Sequence, residues 1–91
     1  MSKVAVVTGG TRGIGKDISL ALIDAGYQVA ALYHGNEAAA KEFKAETGQK
    51  AYKVDVADLD KCHAVIEKIE KDLGPVYALV NNAGITRDGM L

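Results

Sequence analysis

The chain is poor in the residues that mark several protein classes. A single cysteine, Cys62, excludes an internal disulfide framework and implies a reducing cytoplasmic setting. There is no tryptophan and only one phenylalanine, so any core must be assembled from Val, Leu, Ile and Ala. No apolar run approaches the roughly 20 residues of a membrane-spanning helix, and the amino terminus does not read as a signal peptide. A net charge of -1 lacks the basic excess of a nucleic-acid binder and the acidic tail of a charged interaction arm. The two histidines and Cys62 lack the C-x-x-C or H-x-x-x-H spacing of structural zinc, so no metal is expected. At 91 residues the chain is one small unit over 1–91.

What is present is a regular alternation. Val4-Ala5-Val6-Val7 is an unbroken apolar run suited to a strand buried on both faces. Ile14, Ile18, Ala21, Leu22 and Ala25 fall on one helical stripe, closed by Gly26. Residues 29–33 read as a second strand, and Asn36 as the cap of a helix burying Ala39, Ala40 and Phe43. After Gly48, residues 51–54 form a third, less apolar strand nearer a sheet edge. Asp58 caps a helix with Leu59, Cys62, Val65, Ile66, Ile69 and Leu73 inward, stopped by Gly74-Pro75. Residues 76–80 are the fourth strand, an apolar run that would be left as an open edge if residues 1–91 stood alone. Strands alternating with helices predict right-handed crossovers and a parallel, doubly wound α/β sheet of Rossmann type, order 3-2-1-4.

The chemistry-bearing stretch lies between the first strand and the first helix. G-x-G-x-x-G is absent; the match is T-G-x-x-x-G-x-G, formed by Thr8, Gly9, Gly13 and Gly15. Backbone without Cβ atoms can approach a dinucleotide's phosphates, and free N–H groups at a helix start point at their charge. A tight turn without a ligand is the alternative. An NAD site usually places an acid at the end of the second strand to bind the ribose 2′-hydroxyl. Here Tyr33 and His34 stand there, and no acid occurs until Glu37. With Arg12 as a fixed cation in the turn, this favours NADP(H) over NAD; a solvated Arg12 is the bland alternative. Asp55 can accept from an adenine amino group with Val56 packed near the ring, or make only a local Asx turn. Asn81 and Asn82 can brace the loop after the fourth strand, or form an ordinary Asn-rich turn. A flavodoxin-like or receiver domain shares the alternation but lacks support, since paired acids are missing near Val7.

Thr8–Gly15, Asp55-Val56 and Asn81-Asn82-Ala83-Gly84 together resemble the N-terminal half of short-chain dehydrogenases/reductases, along the whole chain. The run from Asn81 to Asp88 is similar to that of 3-oxoacyl thioester reductases, which include carrier-protein and acetoacetyl-CoA branches. The stretches 25–31, 43–48 and 52–56 look most like the acetoacetyl-CoA branch of polyhydroxybutyrate synthesis. The resemblance implies that Gly9, Gly10, Thr11, Arg12, Gly13, Ile14 and Gly15 hold pyrophosphate and adenosine ribose, with Arg12, Tyr33 and His34 near a 2′-phosphate. It implies that Asp55 and Val56 flank the adenine, that Asn82, Ala83, Gly84 and Ile85 line the nicotinamide-side ribose, and that Asp88 borders the substrate pocket. A cytoplasmic NADPH-dependent reductase acting on a small acyl thioester is expected, with a homo-oligomeric parent enzyme.

That family's proton donor is a tyrosine in Tyr-x-x-x-Lys, assisted by a serine. Four residues after Tyr27, Tyr33, Tyr52 and Tyr77 stand Ala31, Glu37, Val56 and Asn81, none of them lysine. Residues 1–91 are therefore expected to hold the cofactor and, alone, not to reduce substrate. A non-catalytic nucleotide-binding module is the competing class, separated by whether the parent reading frame contains the serine and Tyr-x-x-x-Lys.

Overall fold

The computed structural model describes residues 3–82. Its elements are β1 (Val4–Thr8), α1 (Gly13–Asp24), β2 (Gln28–Tyr33), α2 (Glu37–Thr47), β3 (Lys50–Lys53), α3 (Leu59–Leu73) and β4 (Val76–Val80). The four strands form one parallel sheet in the order β3-β2-β1-β4. The chain runs outward from β1 through β2 to β3, then returns over the other face to place β4 beside β1. The expected doubly wound topology is thereby realised, and it opens a crevice between the carboxyl ends of β1 and β4.

Alternation along the central strands divides the core in two. Val4, Val6, Ala30 and Leu32 face α3, where they meet Val65, Ile69 and the partly buried Cys62, Ile66 and Leu73. Val7, Val29 and Ala31 face the other way, against Phe43 of α2 and Ile18, Leu22 and Ile23 of α1. Every residue of β1 is buried, as its unbroken apolar run requires.

The helix boundaries follow local chemistry. Asn36 Oδ1 accepts from the Ala39 N–H at 3.0 Å, and Asp58 Oδ1 from the Lys61 N–H at 3.2 Å. Gly48 ends α2 in the left-handed region, at φ 71°. β3 starts at Lys50, one residue before its expected start, and ends at Lys53. Just beyond it, the N–H of buried Val54 donates to Tyr33 O at 2.9 Å. At the other end, Gln49 Oε1 accepts from the Val29 N–H at 2.9 Å, one residue before the β2–β3 register begins at Ala30 and Lys50.

Two helical stripes need correction. Ile14 is 72% exposed, and Ala21 and Ala25 also face solvent; the inward face of α1 is Gly15, Ile18, Ser19, Leu22 and Ile23. The first turn of α1 lies so close to Gly9 that Gly15, where an added Cβ would overlap the Gly9 carbonyl, faces inward, while Ile14 beside it faces solvent. Leu59, the first residue of α3, is likewise 72% exposed, and the inward stripe begins at Cys62.

Among the described residues β4 ends the sheet, with Tyr77 and Leu79 exposed. Lys3 Nζ sits 4.2 Å from the Tyr77 ring centroid, and Tyr27 and Tyr77 have their ring centroids 6.1 Å apart.

At the opposite edge, Tyr52 is buried and its hydroxyl donates to Asp72 Oδ2 at 2.9 Å. Burial, and then the neighbouring Asp72 carboxylate, push the Tyr52 phenol up to about 12 from 10.0. The raised value means that the folded state holds this proton more firmly than the unfolded state. The resulting stabilisation is complete below pH 10 and is lost as pH rises through about 12. Tyr52→Phe is expected to lower stability at pH 7 by about 1 kcal/mol through the lost hydrogen bond. It should also fall less steeply than the wild type above pH 10. Denaturant unfolding from pH 7 to 12 checks both; equal slopes would contradict the assignment.

Candidate nucleotide site at the carboxyl edge of the sheet

Four glycines build the turn between β1 and α1, two for their backbone conformation and two for close packing. Gly9 and Gly13 have φ of 63° and 60°, a left-handed backbone that side chains disfavour. Gly10 packs so tightly that an added Cβ would lie 2.9 Å from both Ser19 Oγ and Val7 O and 3.0 Å from Ala31 Cβ. Its N–H donates to Leu32 O at 3.2 Å, which fixes the turn to the end of β2. At Gly15 an added Cβ would overlap the Gly9 carbonyl and lie 2.7 Å from Asn82 Nδ2.

The turn is also tied to the end of β4. Thr8 Oγ1 lies 3.4 Å from Val80 O and 3.3 Å from Asn81 Oδ1, and Asn82 Nδ2 donates to Gly9 O at 3.4 Å. Asn82 therefore braces backbone across the switch point, as one of its two sequence readings expects, while Asn81 accepts from the Thr8 hydroxyl.

Arg12 occupies the N-cap position of α1 with an extended backbone, φ −157° and ψ 168°, and its side chain caps no N–H group. The first turn of α1 contains no acid. The helix start thus presents backbone donors to the crevice without a side chain already satisfying them.

A cleft of about 480 Å³ opens over this turn. Gly9, Thr11, Arg12 and Gly13 line one side; Tyr33, His34 and Asn36 at the end of β2, with Asn82 after β4, line the other. Among the described residues no carboxylate lines it. Lys16, the cation one turn further along α1, is held by Glu46 at 2.7 Å, which raises its pKa, so Arg12 is the cation presented to the cleft. Close-approach glycines, open helix donors and a cationic wall fit a phosphate-bearing nucleotide.

Other residues expected at the site are placed differently. Ile14 is exposed beside the turn. Asp55 Oδ1 accepts from the Ala57 N–H at 3.0 Å, the geometry of a local Asx turn. Asp55 lines a separate cleft with Ala57, Asp58 and Asp60, and Val56 lines a narrow recess of about 190 Å³ with Leu79 and Asn81. Neither shares the Arg12 cleft. Ala83, Gly84, Ile85 and Asp88 lie outside the described residues.

Sequence reasoning missed Ser19, fully buried beneath the turn, whose hydroxyl reaches the Gly10 carbonyl in the turn and the Gly15 carbonyl in α1. The signal was there: it is the lone hydroxyl on the helix face shared by Gly15, Ile18 and Leu22. Asn36 was legible as a cap, and the structure adds that it borders the cleft. Among the described residues, no three His, Cys, Asp or Glu side chains gather as a metal site, and no helix is long and apolar enough to cross a membrane.

Comparison with known proteins agrees with this geometry. The acetoacetyl-CoA reductase of Paracoccus denitrificans is 62% identical over 90 residues, covering 99% of this chain and 37% of that protein. The 3-oxoacyl-[acyl-carrier-protein] reductase FabG of Staphylococcus aureus is 45% identical over 96 residues, covering all of this chain and 39% of that protein. The chain thus spans well under half the length of these curated relatives. The crystal structure of L-sorbose reductase from Gluconobacter frateurii, complexed with NADPH and L-sorbose, superposes with a TM-score of 0.75 at 32% identity. That match covers 92% of this chain and 34% of the reductase. Residues 3–91 match the family model described as short chain dehydrogenase. A parallel sheet in the order β3-β2-β1-β4, a T-G-x-x-x-G-x-G turn at its switch point and a family match along almost the whole chain lead to one conclusion: the chain belongs to the short-chain dehydrogenases/reductases.

Proposed function

We propose that the chain is the cofactor-holding part of an NADPH-dependent reductase that converts a short 3-oxoacyl thioester into the 3-hydroxyacyl thioester. The observation that carries this is the make-up of the cleft. Arg12 and His34 line it, and no carboxylate stands at the end of β2 to repel a 2′-phosphate. The glycine turn would hold the pyrophosphate on the α1 donors, and Arg12 would pair with the 2′-phosphate. NADPH, when bound, supplies the hydride for the 3-keto carbon. The Asn82 amide, bonded to the Gly9 carbonyl, ties the turn to the end of β4.

Acetoacetyl-CoA is the proposed substrate, in the branch serving polyhydroxybutyrate synthesis. The support is the higher identity to an acetoacetyl-CoA reductase, 62%, than to a carrier-protein reductase, 45%. Reduction of a 3-oxoacyl group on acyl carrier protein is the second reading, supported by the second of these relatives. Relative rates of the parent enzyme on the two thioesters separate them. The parent is proposed to be a cytoplasmic homo-oligomer.

Arg12→Ala tests the cofactor directly. Loss of a charge-assisted phosphate contact costs about 1.5–3 kcal/mol, so NADPH should bind roughly ten- to hundredfold more weakly. NADH, which lacks the 2′-phosphate, should bind as before. Calorimetric or fluorescence titration with both nucleotides measures this, and an unchanged NADPH affinity would remove Arg12 from the site.

A further inference from the structure

Ser19 lies fully buried under the glycine turn, four residues into α1 from Gly15. Its Oγ is 3.0 Å from Gly15 O and 3.1 Å from Gly10 O. The first acceptor is one helical turn back, the ordinary local partner of a serine inside a helix, and by itself signifies little. The second lies outside the helix, nine residues earlier, in the turn itself. One hydroxyl proton, shared between these two carbonyl acceptors, therefore spans the joint between the turn and the helix whose donors face the cleft.

The packing supports a matched pair. The space that a Cβ at Gly10 would need is occupied by Ser19 Oγ, 2.9 Å away. Gly10 is also the residue whose N–H holds Leu32 O, so the Ser19 hydroxyl couples α1 to the end of β2 through a single residue. Ser19 is not among the residues that line the cleft, and it carries no charge that distinguishes a 2′-phosphate from a 2′-hydroxyl.

We propose that Ser19 is a positioning residue for the nucleotide: its hydroxyl fixes the Gly10 carbonyl against α1 and so sets the turn in which the pyrophosphate is held. This rests on the nucleotide function proposed above. It extends that function by separating two jobs. Ser19 governs the affinity common to both nicotinamide dinucleotides, whereas Arg12 governs the choice between them.

The test is titration of the purified protein with NADPH and with NADH, for the wild type, Ser19→Ala and Ser19→Cys, with the thermal midpoint of each ligand-free variant. Ser19→Ala should weaken both nucleotides by the same factor, roughly three- to tenfold, as one buried hydrogen bond would. Ser19→Cys, of similar size with a weaker donor, should fall between it and the wild type. A lower midpoint with both dissociation constants unchanged would make Ser19 a packing residue and overturn the proposal. A loss confined to NADPH would overturn it equally. Should Ser19→Ala not fold, Ser19→Cys decides between the same outcomes, by whether the two constants move together or stay still. A wild type that binds neither nucleotide overturns the nucleotide function itself, and shows this before any substitution is made.

Discussion

Gly15→Ala is expected to displace the glycine turn and abolish nucleotide binding, while Gly13→Ala, two residues away, should leave the turn in place. The contrast follows from what each new methyl group meets. At Gly13 nothing lies within 4 Å, and the cost is that of a left-handed backbone at φ 60°, about 1 kcal/mol. At Gly15 the methyl would overlap the Gly9 carbonyl and press on Asn82 Nδ2. These atoms are backbone and a brace rather than the free end of a flexible side chain, so Gly9 itself must move. Its displacement would break the Asn82 hydrogen bond, release the end of β4 from the turn, and swing the α1 donors off the phosphate. Overpacking of this kind costs about 1–3 kcal/mol of stability. Affinity for NADPH should fall by at least about a hundredfold, the equivalent of roughly 2.7 kcal/mol. Titration of both variants beside denaturant unfolding measures the two effects. A loss of stability at Gly15→Ala no larger than that at Gly13→Ala would contradict the close approach of α1 to the Gly9 carbonyl.

Phe43→Ala should produce the largest loss of stability. Phe43 is the lone phenylalanine and is fully buried, packed with Val7, Val29 and Ala31 where α2 covers the sheet. The buried strand residues against it, Val7, Val29 and Ala31, are small and held by the sheet, so they cannot collapse into the space left behind. The expected cost is about 3–5 kcal/mol, against a total of about 5–15 kcal/mol for an ordinary domain. Urea unfolding monitored by circular dichroism should show the midpoint falling sharply or the transition disappearing. A loss below about 1 kcal/mol would show that α2 does not pack as described.

Much of this was legible in the residues because the signals are local. Asn36 and Asp58 precede their helices, and each makes the side-chain bond that its chemistry favours. Gly48 stands where a left-handed residue is needed, and four apolar runs separated by helices leave few topologies other than a doubly wound parallel sheet. The glycine pattern located the cleft, and the absence of an acid at Tyr33-His34 described its charge.

What escaped depends on tertiary distance. Periodicity alone turned Ile14 and Leu59 inward, because it cannot register that a helix start lies hard against a neighbouring carbonyl or projects beyond the sheet. For Asp55, two uses of one carboxylate were compatible with the sequence; in the structure Oδ1 is bonded to the Ala57 N–H and the residue borders a different cleft from Arg12. Ser19 was hidden because a buried hydroxyl has no meaning until its acceptor, nine residues back in the turn, is brought over it.

The central claim is that the cleft beside Arg12 and His34 is built for a dinucleotide bearing a 2′-phosphate. Competitive titration of the wild-type protein with NADPH and NADH under identical buffer and salt tests it most directly. NADPH should bind, with NADH weaker by at least about tenfold, the equivalent of roughly 1.4 kcal/mol. Equal affinity for the two, or binding of neither, would contradict it.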